Sequence, residues 1–524
     1  MSQALPCAEG VLRSGAAAAP CKPGSERWLL AATILGSSMA FIDGTIVNVI
    51  LPALQEAFHA DVVAVQWVVE SYAFLLAALL LVGGAAGDRF GRRRIFLIGV
   101  VLFGAASLAC GLSMTIAQLV AARAVQGVGA ALLVPGSLAI ISASFEEKRR
   151  GKAIGTWSGY TAITGALGPV AGGFLVQQLS WRYAFLVNIP MAALVVWLTL
   201  RHVPESRDPE APPGLDWIGA LLASFGLGAL VYGLIELPLR GWRDAQVLGA
   251  TLGGVAALAV FIRYEKRHPA PMLPLGLFRS LDFTGANLLT LFLYGALGGS
   301  LFFFPLNLIQ VQGYSVTAAG AALLPFTIVM FLFSRFTGGL SDRFGARLPL
   351  VIGPAIAAGG FALFAVPGIG GSYWTTFFPA VLVLGIGMTI AVAPLTTTVM
   401  NAVQASQAGA ASGINNAVSR AAALLAIAVL GIAMQAGFNR QLTDEMAKRE
   451  VAGGTRAEVE QQRSRLAAIA LPESLPKAER AKAEAAVKSA FVTGFRWVMW
   501  LSAALALLSA LSAWLTIGKQ KRNS

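Results

Sequence analysis

The stretch Gly84-Ala-Ala-Gly-Asp88-Arg89-Phe90-Gly91-Arg92-Arg93-Arg94 leaves one apolar run and enters the next. It returns, weakened, as Gly338-Gly-Leu-Ser-Asp342-Arg343-Phe344-Gly345-Ala-Arg347. Asp88 and Asp342 stand 254 residues apart, too far for six helices with short loops and reasonable for eight. Two six-helix halves with a helix pair inserted at 215–264 explain that offset.

What surrounds the repeat is almost all apolar. The chain has 524 residues, of which 56% are hydrophobic and 12% charged, and this leaves too little polar surface for a water-soluble globule of that length. Fourteen runs of about 20 to 25 apolar residues are each long enough to cross a hydrocarbon layer of roughly 30 Å as a helix. The expected fold is therefore all-α and membrane-integral. A tail at 1–27 precedes a bundle at 28–201, the inserted pair at 215–264, a second bundle at 282–516 containing a long loop at 437–490, and a tail at 517–524. Trp28, Trp67, Trp181 and Trp217 fall near span ends, where an indole favours the headgroup zone.

The formal net charge of +13 would point a soluble protein toward nucleic acid, but here the basic residues sit in short loops. Arg89, Arg92, Arg93, Arg94, Lys148, Arg149, Arg150, Lys152, Arg201, Arg207, Arg263, Lys266, Arg267, Arg279, Arg343 and Arg347 all belong to one alternating set of loops. The other set's short loops offer only Arg182, Arg240 and Arg243. The rule that basic loops stay inside then places both termini in the cytoplasm of a cell (inner) membrane. The 437–490 loop falls outside and is long enough to be exempt. Its Ala, Glu, Lys and Arg spacing suits either a helical hairpin over the external mouth or a solvated linker. Cys7, Cys21 and Cys110 and three scattered histidines show neither a disulfide framework nor metal-ligand spacing.

Several charges are misplaced for a lipid solvent. Asp43 lies inside the first span, where a carboxylate costs roughly 2.5 to 3.5 kcal/mol on insertion scales, so it should face a cavity or be neutralised. By a rise of about 1.5 Å per residue, Asp43, Glu70 and Arg123 lie about 13, 9 and 12 Å below the outer ends of spans 1, 2 and 4. If these spans share a cavity, the three form one coupled proton site. The alternatives are a structural contact of Asp43 with Thr45 and Asn48, and a lipid-interface position for Glu70. Glu236, near the outer end of span 7, reads as solvated.

Four motifs now stand in order on successive spans. They are Asp43-Gly-Thr-Ile-Val-Asn-Val-Ile-Leu-Pro52 in span 1, the 84–94 loop, Arg123-Ala-Val-Gln126-Gly127-Val-Gly129 in span 4, and Gly165-Ala-Leu-Gly168-Pro169-Val-Ala-Gly172-Gly173 in span 5. Together they resemble the fourteen-helix drug:proton antiporter branch of the major facilitator superfamily. The resemblance implies that Gly84, Asp88, Arg89, Gly91 and Arg92, with Asp342 and Arg343, form a charge latch across the cytoplasmic ends. It also implies that Gly165, Gly168, Pro169, Gly172 and Gly173 seal an antiporter against ion leak, where residues alone also allow ordinary tight packing.

Trp157, Tyr160, Tyr294, Phe303 and Phe326 are candidates to line an apolar cargo cavity. Asn415, Asn416 and Arg420 lie in span 13, where some relatives exporting divalent cations carry acids, and the basic charge here argues against such cargo and points to an anionic or zwitterionic ligand or to a buried partner for Arg420. The implied function is export of an amphipathic small molecule in exchange for protons, with lipid and cargo as partners and no nucleic acid. No phosphate-binding Gly-x-x-x-x-Gly-Lys-Ser/Thr loop occurs, which leaves the proton gradient as energy source and calls for no cofactor. Proton symport or facilitated import on the same fold, and a membrane enzyme or scaffold, are the competing classes. The composition leaves open a periplasmic adaptor.

Overall fold

The computed structural model describes residues 25–145, 147–207, 216–269, 271–337, 344–403, 408–472 and 474–518. Among these residues the chain is helical without a strand, and fourteen helices are long and apolar enough to cross a membrane. They are α1 (Ser25–Phe58), α2 (Val62–Phe90), α3 (Arg92–Leu112), α4 (Ile116–Ser144), α5 (Glu147–Gln178), α6 (Tyr183–His202) and α7 (Trp217–Arg240). The others are α8 (Ala245–Glu265), α9 (Leu281–Val311), α10 (Val316–Phe333), α11 (Arg347–Phe364), α12 (Phe378–Asn401), α13 (Ala408–Lys448) and α14 (Lys477–Thr516). All fourteen expected spans are present because each run satisfies its backbone polar groups internally, as hydrocarbon demands.

Boundaries differ where the chain continues a helix through a change of solvent. α1 passes through Pro52 to Phe58, beyond its apolar run. α13 and α14 run to 41 and 40 residues by extending into the 437–490 loop. That loop is not a linker. Between the two extensions lie a short helix at Gly453–Gln461 and a 3-10 turn at Arg463–Ala468, with Phe438, Leu442, Met446, Val459 and Leu466 buried along the seam. Its Ala-rich, Glu/Lys/Arg-rich composition has high helix propensity, which explains why the helices do not stop at the end of the apolar stretch.

The chain divides into two compact units. The first comprises residues 1–50, 67–227 and 256–272, and the second 51–66, 228–255 and 273–524. The core of the first contains Leu29, Phe96, Val100, Phe103, Leu133 and Val195. In the second, the ring of Phe304 packs edge-on to Phe364 and Phe377 at centroid distances of 4.9 and 5.6 Å. Within that unit Arg465 Nη2 donates to the carbonyl of His59 at 2.8 Å, and Gln310 Nε2 donates to Gln55 Oε1 at 2.7 Å.

Candidate functional site

Asp43 is fully buried and forms an ion pair with Arg123, itself 1% exposed. Its Oδ2 accepts from Arg123 Nη1. Its Oδ1 accepts from Gln126 Nε2 at 2.8 Å and Asn188 Nδ2 at 3.1 Å. Gln126 and Asn188 also donate to Ser107 Oγ, at 2.6 and 3.2 Å, and Gln126 Oε1 accepts from Arg123 Nη1 at 2.7 Å. Five helices thus contribute to one network: α1, α3, α4 and α6 by side chains, and α2 through the Val68 carbonyl, which accepts from Arg123 Nε at 3.0 Å. The guanidinium carbon stands 4.1 Å from the centre of the Tyr72 ring, and Tyr72 Oη donates to the carbonyl of Ala40 at 3.1 Å. Three donors on one carboxylate are what a buried negative charge requires.

Asp43 and Arg123 are therefore brought together, and Glu70 is not part of their network. Glu70 is fully buried on α2, and neither of its carboxyl oxygens has a hydrogen-bond partner among the described residues. Contact places Arg123 level with Val68 and Tyr72, and so with Glu70 between them in sequence. Gln126 lies inside the span-4 motif and Ser107 and Asn188 lie in apolar runs, and none of the three stands out in the sequence. Neutral polar residues inside a span carry no signal of their own until packing shows which face they share.

The helix-5 cluster meets α1 directly. Thr45 Oγ1 donates to the carbonyl of Gly165 at 2.9 Å. A Cβ at Gly168 would lie 2.2 Å from Thr45 Oγ1, and one at Gly172 would lie 2.2 Å from Ile46 Cγ1, so only glycine permits this approach. Pro169 stands inside the same helix and Gly173 is buried. This small-residue face of α5 therefore adjoins the turn of α1 that carries Asp43.

In the 84–94 loop, Asp88 Oδ1 accepts from Arg92 Nε at 2.8 Å, a pairing internal to the loop. Gly91 has φ of 111°, a backbone that side-chain-bearing residues rarely adopt. Glu205 then accepts from the backbone N–H groups of Arg93 at 3.0 Å and Arg94 at 3.2 Å, capping α3 with a carboxylate. Nothing local marks Glu205, which lies 112 residues from Arg93. Gly84 is partly buried, Arg89 lies against Phe90, and Asp342 and Arg343 fall outside the described residues. The second copy retains the backbone signature, with Gly345 at φ 75°.

The family model described as Major Facilitator Superfamily matches residues 33–427. The chain belongs to this superfamily. It is 37% identical over 426 residues to the multidrug resistance protein Stp of Mycobacterium tuberculosis, covering 80% of this chain and 78% of that one. It is 33% identical over 496 residues to the tetracenomycin C resistance and export protein of Streptomyces glaucescens, covering 93% and 91%. Its fold resembles that of a bacterial homologue of the human lysosomal transporter Spinster, at a TM-score of 0.66 and 18% identity over 96% of this chain and 100% of that one. As a major facilitator protein it is a multi-pass membrane transporter and not an enzyme.

The cavity candidates of this major facilitator chain separate by surroundings. In the first unit, Trp157 is buried and its Nε1 donates to Ser37 Oγ at 3.1 Å, which makes it a strut between α5 and α1, whereas Tyr160 is exposed. In the second unit, Phe303 is buried against Phe302, while Tyr294 and Phe326 are half-buried. Asn415 Nδ2 donates to Thr290 Oγ1 at 2.7 Å and Asn287 Oδ1 at 3.2 Å, joining α13 to α9. Asn416 is exposed and donates to its own helix at the carbonyl of Ser412, and Arg420 is half-buried.

Proposed function

We propose that this transporter exports amphipathic small molecules, drugs among them, in exchange for protons. The carrying observation is the layer of buried charge in the first unit: the Asp43–Arg123 pair, and beside it a second buried carboxyl, Glu70. Acids at such a depth are costly and mark proton or ion pathways. The relatives named for multidrug resistance and for tetracenomycin C export support an outward cargo direction.

In the state described here Arg123 satisfies Asp43. Protonation of Asp43 requires that Arg123 be withdrawn, so proton loading and rearrangement of α4 against α1 are the same event. Alternating exposure of a central cavity by the two bundles then links that event to cargo release. The loop beginning at Gly84 and the Gly-Pro face of α5 hold the alternative states apart. The proton gradient is the energy source, the cell membrane the location and the cytoplasm the side of both termini. A periplasmic adaptor is a further partner if the cell has two membranes.

The test is cargo movement in proteoliposomes of the purified chain under an imposed pH difference. Acidification of the trans compartment should drive cargo toward it, with counterflow of protons, and Asp43→Asn should abolish the coupling. Cargo moving together with protons would instead identify a symporter. No response to pH with any lipophilic cargo would end the proposal.

A further inference from the structure

The network around Asp43 leaves the second acid of the layer alone. Glu70 is two residues from Val68, whose carbonyl holds Arg123, and two from Tyr72, whose ring carries the guanidinium. Two residues along an α-helix turn the side chain by about 200°, so Glu70 leaves α2 at the same height and on the opposite face. The charges that the layer holds on neighbouring helices, Asp43 of α1 and Arg123 of α4, are engaged with each other. Trp67 and Phe74, three residues before and four after Glu70, share its face of α2.

An ionised carboxylate buried with no donor and no cation is strongly disfavoured. Two occupants remove the penalty: a proton, or a cation brought by a ligand. Oxygens that accept either one, and not both, make an exchange site. We infer that Glu70 is the carboxyl at which a proton is traded for the cationic centre of a monovalent lipophilic cargo, while Asp43, paired with Arg123 in this state, takes its proton in a separate step of the cycle. The O–H bond of the Glu70 acid breaks, the proton leaves to water, and the carboxylate forms an ion pair with the cargo; no electrons change hands. A single carboxylate flanked by aromatic residues suits a delocalised organic cation, through ion pairing and ring contact, and not a hard metal ion, which needs several oxygens. The assignment rests on the antiport reading above and adds the charge of the cargo and the atom that meets it. Glu70 is occluded here, so the proton is the resident occupant of this state, and cargo enters when this face of α2 opens.

The experiment uses the full chain purified in detergent, with tetraphenylphosphonium as a cation that cannot itself titrate. Binding should release about one proton per cation, read with a pH-indicator dye, and affinity should rise about tenfold per pH unit through the range where Glu70 exchanges. Glu70→Gln should bind at least tenfold more weakly and release no proton, whereas Glu70→Asp should retain release. A readout independent of the variants is modification by dicyclohexylcarbodiimide, which attacks protonated buried carboxyls. Mass spectrometry should find the adduct on Glu70 and not on Asp43, with tetraphenylphosphonium protecting against it. The inference is overturned if the native chain binds no tetraphenylphosphonium, if binding releases no proton, if Glu70→Gln binds and releases as the native chain does, or if the protected adduct lies on Asp43. Export of neutral chloramphenicol by native proteoliposomes under a pH difference separates the two failures. If that export persists, antiport stands without this site; if neither compound responds to pH, antiport itself falls.

Discussion

The two units use polar side chains in opposite ways. In the first, Asp43 and Arg123 bury a charge pair under a canopy of amides and hydroxyls from Gln126, Asn188 and Ser107. In the second, Asn415, Asn287 and Thr290 form a neutral cluster, and Ser300 donates to Ser502 across α9 and α14 at 2.9 Å. The two halves share the Asp-Arg-Phe-Gly loop, yet only the first concentrates buried acids in its membrane layer among the described residues. A neutral cluster positions helices at small cost. A buried pair raises the stakes, because removing either partner strands the other. The comparison sets buried charge in the first unit against neutral hydrogen bonding in the second.

The largest effect expected is at the pair. Asp43→Asn and Arg123→Gln should each lower stability by about 3 to 5 kcal/mol, read as thermal unfolding in detergent, because each leaves a buried charge uncompensated. The double variant should recover much of that stability without recovering pH-driven export. Full export by the double variant would break the comparison, since charge would then be dispensable. Next comes the α5 face. Gly168→Val should cost about 1 to 3 kcal/mol by overpacking against Thr45 and raise proton leak in the absence of cargo. Gly159→Ala, where an added Cβ meets nothing within 4 Å, should change neither.

Glu205→Ala removes a carboxylate cap from α3 and should cost about 1 kcal/mol while slowing transport of every cargo alike. Asn415→Ala should cost about the same, in the range of neutral hydrogen bonds, and sharpen the comparison by leaving the pH profile of transport unmoved. The smallest effect belongs to Asp61, just ahead of α2, whose side chain accepts from the Ala64 N–H at 2.7 Å. Burial lifts its carboxyl above the ordinary range and the Glu236 carboxylate adds to this, against the opposing pull of the Ala64 N–H and Arg465. A raised acid favours the fold below its unfolded pKa, and that contribution is lost as pH rises through the folded value. Asp61→Asn should therefore be more stable than the native chain near neutrality, within about 0.5 kcal/mol, and equal to it at acid pH.

The fold was legible because hydrocarbon imposes a length and polarity code that survives at the level of single spans, and because Asp88-Arg89-Phe90-Gly91 repeats. Asp43 and Arg123 were legible for the same reason: a charge in an apolar run stands out without knowledge of its neighbours. Their supporting residues were not. Asn188 reaches Asp43 from 145 residues away, and only packing brings an asparagine near the start of α6 to a carboxylate in α1. Trp157 illustrates the converse. Its size and position suggest a cavity wall, and the sequence gives no sign of the Ser37 hydroxyl, 120 residues earlier, to which its Nε1 donates. α13 and α14 continue past the apolar boundary through Ala-rich charged sequence, since hydropathy marks where lipid ends and propensity decides where the helix does.

Those two extensions have a mechanical corollary. A rod of 41 residues is about 60 Å long, so a swing of 10° at one end sweeps the other through about 10 Å. Spectroscopic labels on Lys448 and Lys477, at the tips of α13 and α14, would magnify sub-nanometre tilts of the bilayer-embedded segments into displacements that a distance ruler resolves. The overhang thus gives the transporter a built-in pointer to its own working cycle.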